Sequence, residues 1–189
     1  MIFRNWKQVL NGTKTQTRRP VKEGEELFWI DTFGSRVGTP EDYRRMGWDG
    51  YRPPFSELAV VRLYPLDGHI YLATGKVCPH RIKWQVGRTY AVQPGRGKKA
   101  VGRIRITKIR RERLQHIDIN GVLAEGISLE EIKNWQGKDH PESFMHFSPA
   151  QRAFQGLWDS IYRKPYRWKD NPDVWVLEFE LAEGGICTN

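Results

Sequence analysis

A chain of 189 residues, 39% of them hydrophobic and eight of them tryptophan, has the material for one well-packed core. That composition excludes a chain disordered throughout. No apolar run is long enough to span a bilayer, and the opening MIFRNWKQVLNG is amphipathic rather than a basic tip followed by an apolar stretch, so a cytoplasmic protein with no membrane partner is expected. The two cysteines, Cys78 and Cys187, are too few for a disulfide framework, and Cys78-Pro79-His80 has no second ligand pair at metal-site spacing. Reduced thiols, no structural metal and no cofactor are the expectation.

Taken in chain order, Ile2, Trp6, Val9 and Leu10 recur at helical spacing, and Gly12 falls where a helix hands over to a loop through a left-handed residue. Residues 23–60 mix Gly, Pro, Trp and charges with little periodicity and read as an irregular insertion, whose Trp29, Trp48 and Tyr51 either cover the core or form a lid. Ser56 to Tyr64 and Gly68 to Thr74 are β-branched or aromatic runs flanking Pro65-Leu66-Asp67-Gly68, the pattern of a hairpin. Thr89 to Val92 is a short strand, and Pro94 to Lys99 is a basic loop. From Ala100 to Ile109 the residues alternate, Ile104 and Ile106 facing one way and Arg103, Arg105 and Thr107 the other.

The period then becomes helical. Asp118 caps a short helix through Ala124 that Gly126 stops, Ser128 opens a second, and Ser148-Pro149 opens a third whose apolar face is Phe154, Leu157, Trp158 and Ile161. Asp173 to Leu181 is a closing strand. The order predicts an α+β fold, a small barrel or curled sheet closed by the C-terminal strand and flanked by helices, as a single domain over 1–189 with the insertion at about 23–60.

Two features point toward function. The segment Gly12-Thr13-Lys14-Thr15-Gln16-Thr17-Arg18-Arg19-Pro20 gathers one ammonium, two guanidiniums and three hydroxyls where a helix stops, a set suited to an anionic or carbonyl-bearing ligand. In a straight strand Lys14 and Thr17 would face opposite ways, so they cooperate only if the chain turns between them. The second feature is charge. Of a net +9, residues 81 to 113 carry twelve basic side chains against the single acid Glu112, the footprint of a phosphate-bearing partner.

These residues resemble the ASCH superfamily of PUA-like β-barrels. The resemblance rests on Gly12 to Arg19, which matches a Gly-x-Lys-x-x-x-x-Arg pattern, on Val86 to Val92, on Gly102 to Thr107, on Glu125-Gly126-Ile127, on Phe154 to Ser160 and on Val174 to Phe179. It implies a barrel of five or six strands, mixed or antiparallel, with a cleft beside the Gly-x-Lys loop suited to RNA or a nucleobase derivative. Some relatives are amidohydrolases that deacetylate acetylated cytidine with a Lys, a Thr and a Glu, and by motif position Lys14 and Thr17 would be the first two. Where relatives place the acid this chain has Val92-Gln93-Pro94, none of which ionises.

The leading expectation is therefore binding of RNA or a modified nucleobase or nucleotide. Gly12, Arg18, Arg19, Gln93, Arg103 and Arg105 would hold the ligand, and Arg96, Lys98 and Lys99 a nucleic-acid backbone. Tyr90 and Trp84 could supply stacking but read better as core. The alternatives are acetylcytidine hydrolysis, with Glu125, Asp159 or Glu178 delivered to Lys14 and Thr17 from elsewhere; a ribonuclease using His69, His80 or His116 as base; and a protein-interaction module. On the third helix, Asp159 reads as a structural partner for an arginine.

Overall fold

The computed structural model describes residues 1–33, 36–63, 80–135 and 147–186. The elements run α1 (Trp6–Leu10), β1 (Gln16–Pro20), β2 (Glu25–Asp31), β3 (Arg36–Gly38), α2 (Pro40–Arg45), β4 (Ser56–Leu63), β5 (His80–Gln85), β6 (Thr89–Val92), β7 (Gly102–Arg113), α3 (Ile119–Ala124), α4 (Leu129–Lys133), α5 (Pro149–Ile161) and β8 (Asp173–Ile186). The chain forms two compact units, Met1–Val21 with Thr89–Asn189, and Lys22–Arg88.

In the first unit the sheet order is β1-β8-β7-β6, with every pairing antiparallel. The alternation read in β7 holds: Ile104 and Ile106 are buried, Arg103, Arg105 and Thr107 exposed. β8 lies between β1 and β7, and four consecutive residues, Val174 to Leu177, are buried, as befits a strand covered on both faces. On this sheet α5 lays Ala150, Ala153, Phe154 and Trp158 against Leu114, Ile117, Val122, Trp168, Val174 and Val176. Helix ends follow their side chains. Asp118 Oδ1 accepts from Gly121 N at 2.7 Å, and Ser128 with Glu131 and Ser148 with Gln151 form capping boxes. α1 is shorter than its apolar spacing predicts, because Met1 to Phe3 extend along Gln93 instead, Phe3 N donating to Gln93 O at 3.0 Å and Gln93 N to Met1 O at 2.8 Å.

The second unit is a sheet in the order β3-β2-β4-β5 around Ile30, Ala59 and Val61. Residues 23–60, expected to be irregular, thus carry β2, β3, α2 and most of β4. Aromatic and β-branched residues in β2 and β4 supply that sheet, and the intervening Gly and Pro mark turns rather than the absence of structure. Trp48 and Tyr51 pack on Tyr43 of α2, with Tyr51 5.2 Å from each of the other rings.

The α+β class and the antiparallel pairing are as expected. Among the described residues, however, the hydrogen bonding makes two open four-stranded sheets, not one closed barrel, because Lys22–Arg88 gathers its strands around a core of its own. The expected hairpin strand Gly68 to Thr74, Cys78, Cys187, His69 and the side chain of His80 lie outside the described residues. Among those residues no helix is long and apolar enough to cross a membrane.

Candidate functional site

Gly12, at φ +78°, ends α1 in the left-handed region that favours glycine. The chain then turns before β1 begins. Lys14 N donates to Gln8 O, Thr15 N to Ala124 O and Phe179 N to Thr15 O, each at 2.9 Å, which ties residues 14 and 15 to α1, α3 and β8. Lys14 therefore sits off the strand, and it shares with Thr17 the lining of one cavity of about 550 Å³. Both side chains thus reach one cavity, with Lys14 placed before the strand that carries Thr17.

Lys14 is 4% exposed. Its Nζ donates to Glu125 Oε2 at 2.5 Å and to the Glu125 carbonyl oxygen at 2.7 Å. Glu125 is the capping residue at the C-terminal end of α3, where Gly126, at φ +89°, turns the chain away. Arg18 joins the pair. Its Nη1 reaches Glu125 Oε1 at 3.4 Å and Gln16 Oε1 at 2.8 Å, and its Nε donates to Glu112 Oε1 at 2.9 Å. Glu112 in turn accepts from Arg110, which also pairs with Glu178, so a chain of alternating charges runs from the cavity into the sheet.

Burial pushes Lys14 below its ordinary 10.5; the Glu125 carboxylate and its hydrogen bond pull it back up, and Arg19 and Arg18 push it further down. Asn5 Nδ2 donates to the Glu125 carbonyl oxygen at 3.1 Å, fixing the backbone on which Lys14 rests.

The other residues singled out from the sequence divide. Arg18, Arg19 and Arg96 line the cavity with Lys14 and Thr17. Arg19 is anchored by Nη2 to Ile2 O at 2.7 Å and lies 5.6 Å from the Phe3 ring centre. Gln93 instead braces the 94–99 loop, its Nε2 donating to Lys98 O at 3.2 Å, and Lys98 and Lys99 are exposed on that loop outside the lining. Arg103 and Arg105 are exposed on β7 and do not reach the cavity. Gly12 shapes the approach without lining it.

Much of the basic stripe is laced by acids outside it in sequence. Arg105 pairs with Glu180, Arg110 with Glu178, and Arg111 and Arg113 with Asp173, all acids on β8. Strand pairing supplies counter-charges that a count along the chain cannot reveal.

Trp84 is buried in β5, and Tyr90 packs beside the cluster of Phe3, Val92 and Phe179. His116 is exposed on a 3-10 turn and lines nothing here. Asp159 accepts from the Trp168 backbone N at 2.8 Å, a backbone partner where an arginine was expected. The aromatic walls of the cavity, Phe3, Phe154, Trp158 and Tyr162, were legible only as an apolar helix face and an opening segment, since nothing in their spacing distinguishes a cavity wall from core. Among the described residues no three His, Cys, Asp or Glu side chains gather to hold a metal ion.

Gly126 is where this arrangement is least tolerant. A Cβ there would lie 2.8 Å from Gln8 Oε1 and 3.1 Å from Lys14 Cβ. Gly126→Ala is expected to destabilise the protein by roughly 1–2 kcal/mol from the left-handed backbone alone, and to displace Lys14 as well. Thermal denaturation checks the first effect. An unchanged melting temperature would contradict it.

An α+β domain with a buried lysine–carboxylate pair at the floor of an aromatic-walled cavity is what fold and site define. No family model and no curated protein matches the chain. Among solved structures, a DUF984 protein of Enterococcus faecalis V583 is similar at 12% identity and TM-score 0.39, over 97% of this chain and 68% of that one. An ASCH domain from Lactobacillus crispatus JV V101 is similar at 13% identity and TM-score 0.38, over 93% of this chain and 69% of that one. The chain resembles ASCH domains in its motifs and is similar in structure to one of them. These likenesses assign no residue a role, and the site stands on its own geometry.

Proposed function

We propose that the cavity binds an acylated nucleobase derivative and hydrolyses its amide, with cytidine acetylated on its exocyclic amine as the substrate class that the ASCH resemblance implies. The observation that carries this reading is Glu125, which stands 2.5 Å from the Lys14 ammonium inside a cavity that Thr17 also lines. A volume of about 550 Å³ suits one nucleoside-sized ligand. The rings of Phe3, Phe154, Trp158 and Tyr162 offer apolar and stacking surface for a base.

In this scheme neutral Lys14 Nζ takes the Thr17 Oγ proton as that oxygen adds to the acyl carbonyl carbon. Collapse breaks the C–N bond, and the proton passes from Lys14 to the departing amine. Water then releases the acyl group from Thr17 as the free acid and restores the hydroxyl. Glu125 holds Lys14 in position, and the Arg19 cation favours its neutral form.

Conversion of acetylcytidine to cytidine, followed chromatographically with Thr17→Val as control, tests the proposal. Turnover by the native chain that the control lacks supports it, and no turnover by the native chain ends it. The pH profile adds a sign. Because the reactive form of Lys14 is neutral, kcat/KM should rise with pH through an inflection below 10.5. Glu125 raises the Lys14 pKa, so Glu125→Gln should move that inflection to lower pH, and Arg19→Gln, which removes a neighbouring cation, should move it up. Shifts in the opposite directions would remove Lys14 from the role of base.

A further inference from the structure

The charges around the cavity do not balance. Five cationic side chains line it, Arg4, Lys14, Arg18, Arg19 and Arg96, against the carboxylate of Glu125. That carboxylate is committed to Lys14 and Arg18, and Arg18 is further neutralised by Glu112 at 2.7 Å. The other three meet no carboxylate within 4.0 Å among the described residues. Arg4 Nη1 donates to Ser160 Oγ at 3.3 Å, Arg19 donates to Ile2 O and to the Tyr162 hydroxyl oxygen, and Arg96 is exposed on the 94–99 loop. On β7, by contrast, Arg105, Arg110, Arg111 and Arg113 each face an acid of β8.

From this we infer that the ligand carries a phosphate group, held at the mouth of the cavity by Arg4, Arg19 and Arg96 while its base occupies the floor beside Lys14. The inference rests on the nucleobase reading above and extends it from nucleoside to nucleotide. A neutral nucleoside would leave three guanidiniums gathered around one opening with no counter-charge. A phosphate monoester or diester supplies it, and guanidinium forks match its oxygens in pairs. Arg19 is already held by a carbonyl and a hydroxyl and Arg4 by a hydroxyl, so less side-chain freedom is lost when an anion arrives. Both anchors are neutral, which leaves the charges themselves uncompensated.

The test needs no turnover. Binding of cytidine, cytidine 5′-monophosphate and the dinucleotide CpC to the native chain is measured calorimetrically at low and high salt. Arg4→Gln and Arg96→Gln are carried alongside, with folding checked by circular dichroism. The monophosphate is expected to bind at least about tenfold tighter than cytidine, the worth of one charge-assisted contact. That advantage should shrink with salt and in either variant, while cytidine affinity stays unchanged. Tighter binding of CpC than of the monophosphate would identify a strand phosphate as the source of the anion, and the converse a free nucleotide.

Equal affinity for cytidine and its monophosphate would overturn the inference, as would an advantage that persists in both variants. Absence of binding by all three compounds would overturn the nucleobase reading along with it. A nucleotide preference without acetylcytidine hydrolysis would sink the catalytic proposal and leave this one standing.

Discussion

Glu125→Ala should cost about 3–5 kcal/mol of folding stability, because it strips the carboxylate from two buried cations at once. Lys14 would keep only neutral acceptors, and Arg18 would retain Glu112 and Gln16. For a chain of this length the loss corresponds to roughly 6–20 °C in melting temperature. Lys14→Met should cost less, since the methionine keeps most of the apolar stem and Glu125 still has Arg18 at 3.4 Å. The double variant Lys14→Met/Glu125→Ala should recover much of the Glu125 penalty, as removal of both members of a buried pair leaves no orphaned charge. A double-mutant cycle by denaturant unfolding reads this directly. Strictly additive losses would mean that the 2.5 Å pair contributes no coupling energy.

Lys14→Met should lower kcat/KM for acetylcytidine by about 10²–10⁴-fold, the usual contribution of a positioned general base, while affinity for the product cytidine changes far less. The two readouts separate chemistry from binding, and the stability cycle above separates both from folding. The acyl-threonine step gives an independent signature. Mass spectrometry of the native chain quenched early in turnover should find the acyl group on Thr17, and Lys14→Met should not accumulate it. A variant with native turnover would exclude Lys14 from the reaction. Equal losses in cytidine binding and in turnover would make it a ligand-holding residue instead.

The sequence was most informative where the physics is local. Asp118, Ser128 and Ser148 cap their helices as short polar side chains do wherever the chain enters a helix, and the Arg/Ile alternation of β7 marks its two faces over any long stretch of strand. Gly12 and Gly126 likewise mark the two left-handed turns that frame the cavity floor. What escaped was set by partners far away along the chain. Glu125 meets Lys14 across 111 positions, and no spacing rule carries that information. The basic stripe suggested an open phosphate-binding face because Asp173, Glu178 and Glu180, which answer it, belong to a strand written some 70 residues later. Within Lys22–Arg88 the run from Ser56 was legible and is β4, whereas β2, β3 and α2 were missed because the Gly and Pro around them outweigh their weak alternation.

The position of β8 between β1 and β7 has a consequence for the order in which the protein becomes competent. Gln16 lies opposite Glu178, so the strand that carries Thr17 and Arg18 cannot dock until residues 174–178 have left the ribosome. Until then the cationic 12–20 segment waits without the strand that receives it. A ribosome stalled before residue 173 would therefore display β1 without the strand it pairs with.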